Sequence, residues 1–284
     1  MNPNFEELLE QSINIWFSED IGEGDHTTLA TIPGSANGKA TLLSKDKGII
    51  AGIFAVKRVI QRFDKNLELE IFIQDGSYIK HGDIILEIRG SVRSILQTER
   101  LILNILQRLS GIATQTNKYV HQLDGLKTRI LDTRKTTPGL RFLEKEAIRL
   151  GGAVNHRIGL FDMILIKDNH IDFAGGIENA ILSAKAYLRE HRLSLKIEVE
   201  ARNLEDVRKI LETGPVDRIL LDNFSPALTR EAVAMINGKA ETESSGGITF
   251  RNLREYGECG VDFISVGALT HQIKSLDLSL KAAF

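Results

Sequence analysis

At 284 residues, 42% of them apolar, the chain can build one large domain or two ordinary ones and is too hydrophobic to be disordered. Its 36 basic residues nearly balance 38 acidic ones, which excludes a broadly basic nucleic-acid-binding surface and leaves any cluster of cations a local feature suited to a small anion. The lone Cys259 excludes an intrachain disulfide and a cysteine-built zinc site.

The first segment, "MNPNFEELLEQSINIWFSED", is acidic and lacks the basic start and apolar run of a signal peptide. No stretch reaches the roughly 20 consecutive apolar residues a membrane span needs. The expectation is a cytoplasmic protein without a membrane segment. Within residues 4–18, Leu8, Leu9, Ile13 and Trp16 fall near helical spacing. "GKATLLSKDKGIIAG" and "LELEIFIQDGSYIKHGDIILEIRGSV" read as short strands punctuated by glycine turns, with "FAVKRVIQRF" as a helix between them. A long apolar-periodic stretch from Val92 to Ala113 is expected to end near Gly111. The piece "DGSYIKHGDIILEI" looks like the hammerhead of biotinyl and lipoyl carriers, but no lysine occupies the carrier family's hairpin-tip context. A structural use of that small sheet is therefore the better reading.

From residue 126 the pattern becomes an alternation. Strand candidates are "LKTRILDT", "MILIKD", "LSLKIEVE", "DRILLDN", "AETESSG" and "DFISVGAL". Between them lie "PGLRFLEKEAIRLGG", "AGGIENAILSAKAYLREH", "NLEDVRKILETG", "SPALTREAVAMING" and "TFRNLREYGECG", several opening on a capping residue and closing on glycine. Such alternation gives parallel strands with right-handed crossovers, either an α/β barrel or an open doubly wound sheet. Six strands are two short of a closed barrel, so a gap with two strand edges needs cover from the N-terminal part or a partner. The expected division is a domain over 1–113, a second over 114–269, and a tail, 270–284, returning to the first.

The strand ends are where ligands bind in α/β folds. In order they carry Arg134 and Lys135, Lys167 and Asp168, Glu200, Asp222 and Asn223, Ser245 to Gly247, and Gly267 with Ala268. The cations Arg134, Lys135, Arg157 and Lys167 suit carboxylates and phosphates. Glu200 and Asp222 suit sugar hydroxyls or magnesium. The "SGG" and "GAL" turns let backbone N–H groups approach an anion, with a helix start expected behind the first. His156 is a candidate base or hydrogen-bond donor, His170 reads as loop scaffolding, and neither a serine elbow nor an activated cysteine is present.

Those motifs, "EDIGEGDHTT", "TERLILNILQRLSGIAT", "DTRKTTPGLRFLEKEAIRLGGAVNHRIGLFDMILIKDNH", "IEVE", "LLDNF", "SSGGIT" and "ISVGALTH", span nearly the whole chain. They resemble the nicotinate-nucleotide pyrophosphorylase (carboxylating), or quinolinate phosphoribosyltransferase, family. The resemblance implies an α/β fold: a hammerhead-like N-terminal α/β sandwich and an open six-stranded parallel α/β barrel. It also implies magnesium-dependent conversion of quinolinate and phosphoribosyl pyrophosphate into nicotinate mononucleotide, pyrophosphate and carbon dioxide. By motif, quinolinate meets Thr133, Arg134, His156, Arg157 and Lys167, with Arg100 donated by the partner in a homodimer or a dimer-based hexamer. Phosphoribosyl pyrophosphate meets Lys135, Glu200, Asp222, Ser245, Gly246, Gly247, Val266, Gly267, Ala268 and His271. Lys135, Lys167, Glu200 and Asp222 take the catalytic roles, and Glu200 and Asp222 hold magnesium, directly or through water. A relative from molybdenum-transport operons, acting on another acceptor, is the alternative. "ESSGG" and Ala153 depart from the family's commoner residues only by small side chains in turns.

Overall fold

The computed structural model describes residues 4–283, which separate into two compact units. The first comprises residues 4–117, 136–152 and 269–283; the second comprises 118–135 and 153–268. In chain order the described elements of the N-terminal part are α1 (Phe5–Asp20), α2 (His26–Thr31), β1 (Asn37–Ser44), β2 (Gly48–Ile49), α3 (Ile53–Phe63), β3 (Glu68–Ile71), β4 (Tyr78–Ile79), β5 (Ile84–Ser91) and α4 (Val92–His121). Then follow β6 (Arg129–Leu131), α5 (Arg141–Leu150), β7 (Ile164–Ile166), α6 (Asp168–Phe173), α7 (Ile177–Glu190), β8 (Ile197–Ala201), α8 (Leu204–Thr213), β9 (Arg218–Asp222) and α9 (Pro226–Ile236). The series ends with β10 (Glu241–Ser245), α10 (Leu253–Gly257), β11 (Phe263–Ser265), α11 (Ala268–His271) and β12 (Leu278–Ala283).

The first unit is built on an antiparallel sheet of order β12-β1-β5-β3. Helix α1 buries Leu9 and Ile13 of the expected stripe together with Phe5, while Leu8 and Trp16 stay half-buried. Helix α4 does not stop at Gly111 as expected but continues to His121. The glycine there serves close packing: a Cβ on Gly111 would lie 2.4 Å from the Lys274 carbonyl oxygen. The tail thus docks on α4, with Leu276 N–H donating to the Gln107 carbonyl at 3.0 Å, before β12 pairs with β1. Helix α5 belongs to this unit and not to the barrel where the linear order placed it. Its Phe142 ring meets Phe5 at 5.3 Å, and its fully buried Glu144 accepts from Arg108 of α4. An ion partner and an apolar face together decide where the helix goes.

The second unit contains, among the described residues, a six-stranded parallel sheet of order β6-β11-β10-β9-β8-β7. Placing β11 beside β6 is barrel order with one seam left open, between β6 and β7. The doubly wound alternative is therefore excluded. Along that seam the β6 edge is covered by the unit's own chain: Val154 bridges Leu131, its N–H donates to the Ile130 carbonyl at 2.9 Å, and Asp132 N–H donates to the Val154 carbonyl at 3.3 Å. The β6 edge thus has cover from the second unit's own chain, a source the linear order did not foretell. The segment read as loop scaffolding around His170 is the short helix α6, capped by His170 Nδ1 accepting the Lys167 N–H at 3.0 Å.

Candidate active site

The rim is assembled one strand at a time. After β6 come Thr133, Arg134 and Lys135, where Lys135 N–H donates to Thr133 Oγ1 at 3.1 Å. Strand β7 leads to exposed Lys167, β8 ends in buried Glu200, and β9 ends in half-buried Asp222. Asn223 follows with φ +56°, its amide donating to Asp222 Oδ2 at 2.7 Å and its backbone N–H to the Ser245 carbonyl at 2.8 Å. A Cβ on Gly246, whose φ is +88°, would fall 2.2 Å from Asn223 Oδ1, so only glycine lets these two turns interlock. Val266 N–H donates to the Leu131 carbonyl at 3.0 Å, bringing Gly267 and Ala268 beside the end of β6. The helix start expected behind the 245–247 turn is absent. Helix α10 begins only at Leu253 and is five residues long, so backbone geometry and not a helix dipole must carry any anion there.

Electrostatics show that these ends share one space. Burial, then the neighbouring Asp222 charge, raises the Glu200 carboxyl above its ordinary range, with Lys167 opposing. Burial likewise raises Asp222, against Asn223, Lys167 and Lys135. Two carboxylates that repel each other beside two lysines are a donor set that fits a divalent cation or a pair of ribose hydroxyls. On the other side, burial and then the Arg134 charge lower the Arg157 guanidinium from its usual value. Two mutually repelling guanidiniums are suited to a dianion, whose binding relieves the repulsion. Arg157 is fixed by Nη1 donating to the Met163 carbonyl at 3.3 Å. Its following loop is closed by Asp162, which accepts from the Ile158 and Gly159 N–H groups at 2.7 and 2.9 Å.

Below this rim the barrel interior is charged where such interiors are ordinarily filled by Val, Ile and Leu. His156 Nε2 lies 2.9 Å from Glu198 and 3.4 Å from Glu243, and Arg218 Nη1 lies 3.0 Å from Glu243. Burial and the Glu243 charge push Glu198 up to about 7. Burial opposes charge on His156, but the two carboxylates outweigh it and lift the imidazole to about 9. Burial also opposes charge on Glu243, yet His156 and Arg218 hold it below the ordinary value. With Arg218 already cationic, two carboxylates need one further proton for neutrality. Nδ1 of His156 accepts the Arg157 N–H at 2.7 Å, so the imidazole's own proton points from Nε2 to the carboxylates and the further proton is shared within the coupled group. Donor atoms of His156, Glu198 and Glu243 lie within 4.8 Å of one another, a spacing a metal could use. Arg218 supplies the positive charge instead, and the group is an ion network.

Sequence reasoning thus placed His156 in the anion pocket but missed that its Nε2 turns to a buried floor. Glu198, Glu243 and Arg218 carried no role in the reading of the strand ends. The signal existed: charge at every second position of "IEVE" and "ETESS" is not what a buried parallel strand carries. Arg100 and His271 belong to the first unit, Arg100 exposed on α4 and His271 exposed at the end of α11. Cys259 is buried, its thiol raised by burial and donating to the Glu255 carbonyl at 3.1 Å, and takes no place on the rim.

Comparison with known proteins agrees with this geometry. The family models for quinolinate phosphoribosyl transferase match residues 25–110 with the N-terminal domain and 112–281 with the C-terminal domain. The chain is 43% identical over 288 residues to the chloroplastic nicotinate-nucleotide pyrophosphorylase (carboxylating) of Oryza sativa subsp. japonica, covering 96% of this chain and 77% of that one. It is 41% identical over 272 residues to a probable nicotinate-nucleotide pyrophosphorylase (carboxylating) of Bacillus subtilis, covering 96% and 92%. The solved nicotinate-nucleotide pyrophosphorylase of Francisella tularensis superposes with a TM-score of 0.93 at 40% identity, over 100% of this chain and 98% of that one. With both domains matched and the rim assembled as described, this chain belongs to the quinolinate phosphoribosyl transferase family.

Proposed function

We propose that the rim of the second unit transfers a phosphoribosyl group from phosphoribosyl pyrophosphate to quinolinate and releases carbon dioxide, giving nicotinate mononucleotide and pyrophosphate. The observation that carries this reading is the division of one rim into two electrostatic halves. Arg134 and Arg157 crowd against each other on one side, while Glu200 and Asp222 repel beside Lys167 and Lys135 on the other. The first half fits adjacent carboxylates on an aromatic ring. The second fits ribose hydroxyls and a pyrophosphate. Thr133 and His156 line the diacid side, and Lys167 serves both.

Breaking the bond from ribose C1 to pyrophosphate builds positive charge on the sugar and negative charge on the leaving group. Glu200 and Asp222 orient the ribose hydroxyls and favour the cationic ring; Lys135 and the turns at 245–247 and 266–268 favour the departing pyrophosphate. Magnesium, held by Glu200 and Asp222, would add charge neutralisation at the pyrophosphate. The two arginines hold the ring so that its nitrogen faces C1, which converts a two-substrate encounter into a positioned one. Once ribosylated, the nitrogen is cationic and accepts the electrons left when the adjacent carboxylate departs. The ring carbon then takes up a proton.

Arg100 completes the diacid site from the partner subunit of a homodimer, alone or within a hexamer. Its exposure on α4, on one helical stripe with exposed Leu96 and Asn104, supports this assignment. No described helix is long and apolar enough to cross a membrane, and the unpaired Cys259 thiol suits a reducing cytoplasm. The names of the relatives favour quinolinate over the acceptor of a molybdenum-operon enzyme. Incubating the protein with quinolinate, phosphoribosyl pyrophosphate and magnesium should release pyrophosphate and form nicotinate mononucleotide. No product with quinolinate, but product with another aromatic acceptor, would overturn the assignment.

A further inference from the structure

Asp132 is fully buried at the end of β6, one residue before the Thr133–Arg134–Lys135 run. Its Oδ1 accepts the His156 N–H at 2.8 Å across 24 positions of sequence, and its own N–H donates to the Val154 carbonyl. Side chain and backbone of one residue therefore hold the 154–156 segment against β6. The two segments joined this way carry the two guanidiniums of the diacid half: Arg134 lies two residues beyond Asp132, and Arg157 lies next to His156. Arg134 is the charge that most disfavours Arg157, so the pair resists being brought together. In the chain as it stands something must hold that spacing. Asp162 closes the loop behind Arg157, the Val154 N–H donates to the Ile130 carbonyl, and Asp132 adds the side-chain tie that reaches the His156–Arg157 peptide itself.

We propose that Asp132 is a positioning residue for the diacid. By fixing the His156–Arg157 peptide to the end of β6, it sets the separation of Arg134 and Arg157 to that of carboxylates on neighbouring ring atoms. The inference rests on the assignment of those two arginines to quinolinate. Its essential element is the acceptor oxygen, since a backbone N–H needs a partner of the right reach whether or not that partner is charged.

The test compares Asp132→Ala, Asp132→Asn and Arg157→Ala in steady-state kinetics, varying each substrate in turn, with thermal melts alongside. Asp132→Ala should raise the quinolinate KM about tenfold or more while the phosphoribosyl pyrophosphate KM stays within about twofold, and Asp132→Asn, which keeps the acceptor, should stay within about threefold of the parent for both. Should Asp132→Ala yield too little folded protein, Asp132→Leu, shaped like asparagine without its acceptor, takes its place with the same expected split. Equal losses for both substrates, or a lowered melting temperature with unchanged KM values, would reduce Asp132 to a fold residue and overturn the proposal. So would a quinolinate KM for Asp132→Asn as high as that of Arg157→Ala, a comparison that needs only the conservative variant. If instead Arg157→Ala leaves the quinolinate KM unchanged, the assignment of the diacid half is what fails.

Discussion

The buried floor of the barrel predicts an unusual stability profile. Its cluster holds a proton that the unfolded chain gives up. The His156 imidazole rises from an ordinary 6.5 to about 9, and Glu198 rises from 4.5 to about 7. For both groups the folded value exceeds the unfolded one, so the folded state binds more protons and stability falls as pH increases. The histidine contribution is complete below 6.5 and disappears as pH passes through about 9. At about 1.4 kcal/mol per pKa unit, that rise corresponds to roughly 3 kcal/mol. The two groups share one proton, so their contributions do not simply add. Urea unfolding of the protein without substrates, across this interval, reads the effect directly. Glu198→Gln supplies the control, because an uncharged amide mimics the protonated carboxyl and leaves the cluster neutral. The variant should lose most of the pH slope and overtake the parent in stability at the alkaline end. A parent that is flat or gains stability with rising pH, or a variant with an unchanged slope, would refute the one-proton reading of the floor.

Three further outcomes follow from the geometry. Arg134→Ala should chiefly raise the quinolinate KM and Lys135→Ala chiefly lower kcat, each by roughly 10- to 100-fold for the loss of charged hydrogen bonds; equal changes in both parameters for both variants would contradict the division of the rim. Mixing two impaired proteins, Arg100→Ala and Lys135→Ala, should raise activity to about a quarter of the parental level if subunits exchange in a symmetric dimer, since half the dimers then carry one intact site. No recovery despite demonstrated exchange would place Arg100 outside its partner's site. Gly111→Ala, which in an open helix would gain up to about 1 kcal/mol, should instead destabilise by roughly 1–3 kcal/mol because the added methyl meets the Lys274 carbonyl oxygen 2.4 Å away. Chemical denaturation gives the sign.

Much of this architecture was legible in the chain because local rules and global fold agree. The six barrel strands sit where apolar runs lie between capped helices, and α8 opens on Asn203 accepting the Asp206 N–H as its sequence implied. What failed was nonlocal. Nothing within Arg141–Leu150 says that Arg108 will claim Glu144 and draw α5 into the first unit. Gly111 reads as a helix end by propensity, yet it is where the returning tail crosses α4. The seam filled by Val154 depends on β6 pairing with a segment whose own residues show no strand pattern. Of the rim, Lys135, Lys167, Glu200 and Asp222 could be found because strand ends face ligands in α/β folds. The floor was hidden because charge inside a parallel strand goes against the rule for buried strands, and here Glu198, Arg218 and Glu243 form ion pairs indoors.

One rim couples bond formation at the ring nitrogen to loss of the carboxylate beside it. Quinolinate radiolabelled in that carboxylate, supplied with phosphoribosyl pyrophosphate and magnesium, tests both events together. Labelled carbon dioxide and pyrophosphate should form in equimolar amounts, with no label released when phosphoribosyl pyrophosphate is withheld. Label released without the second substrate, or pyrophosphate formed while the label stays on the ring, would contradict that coupling.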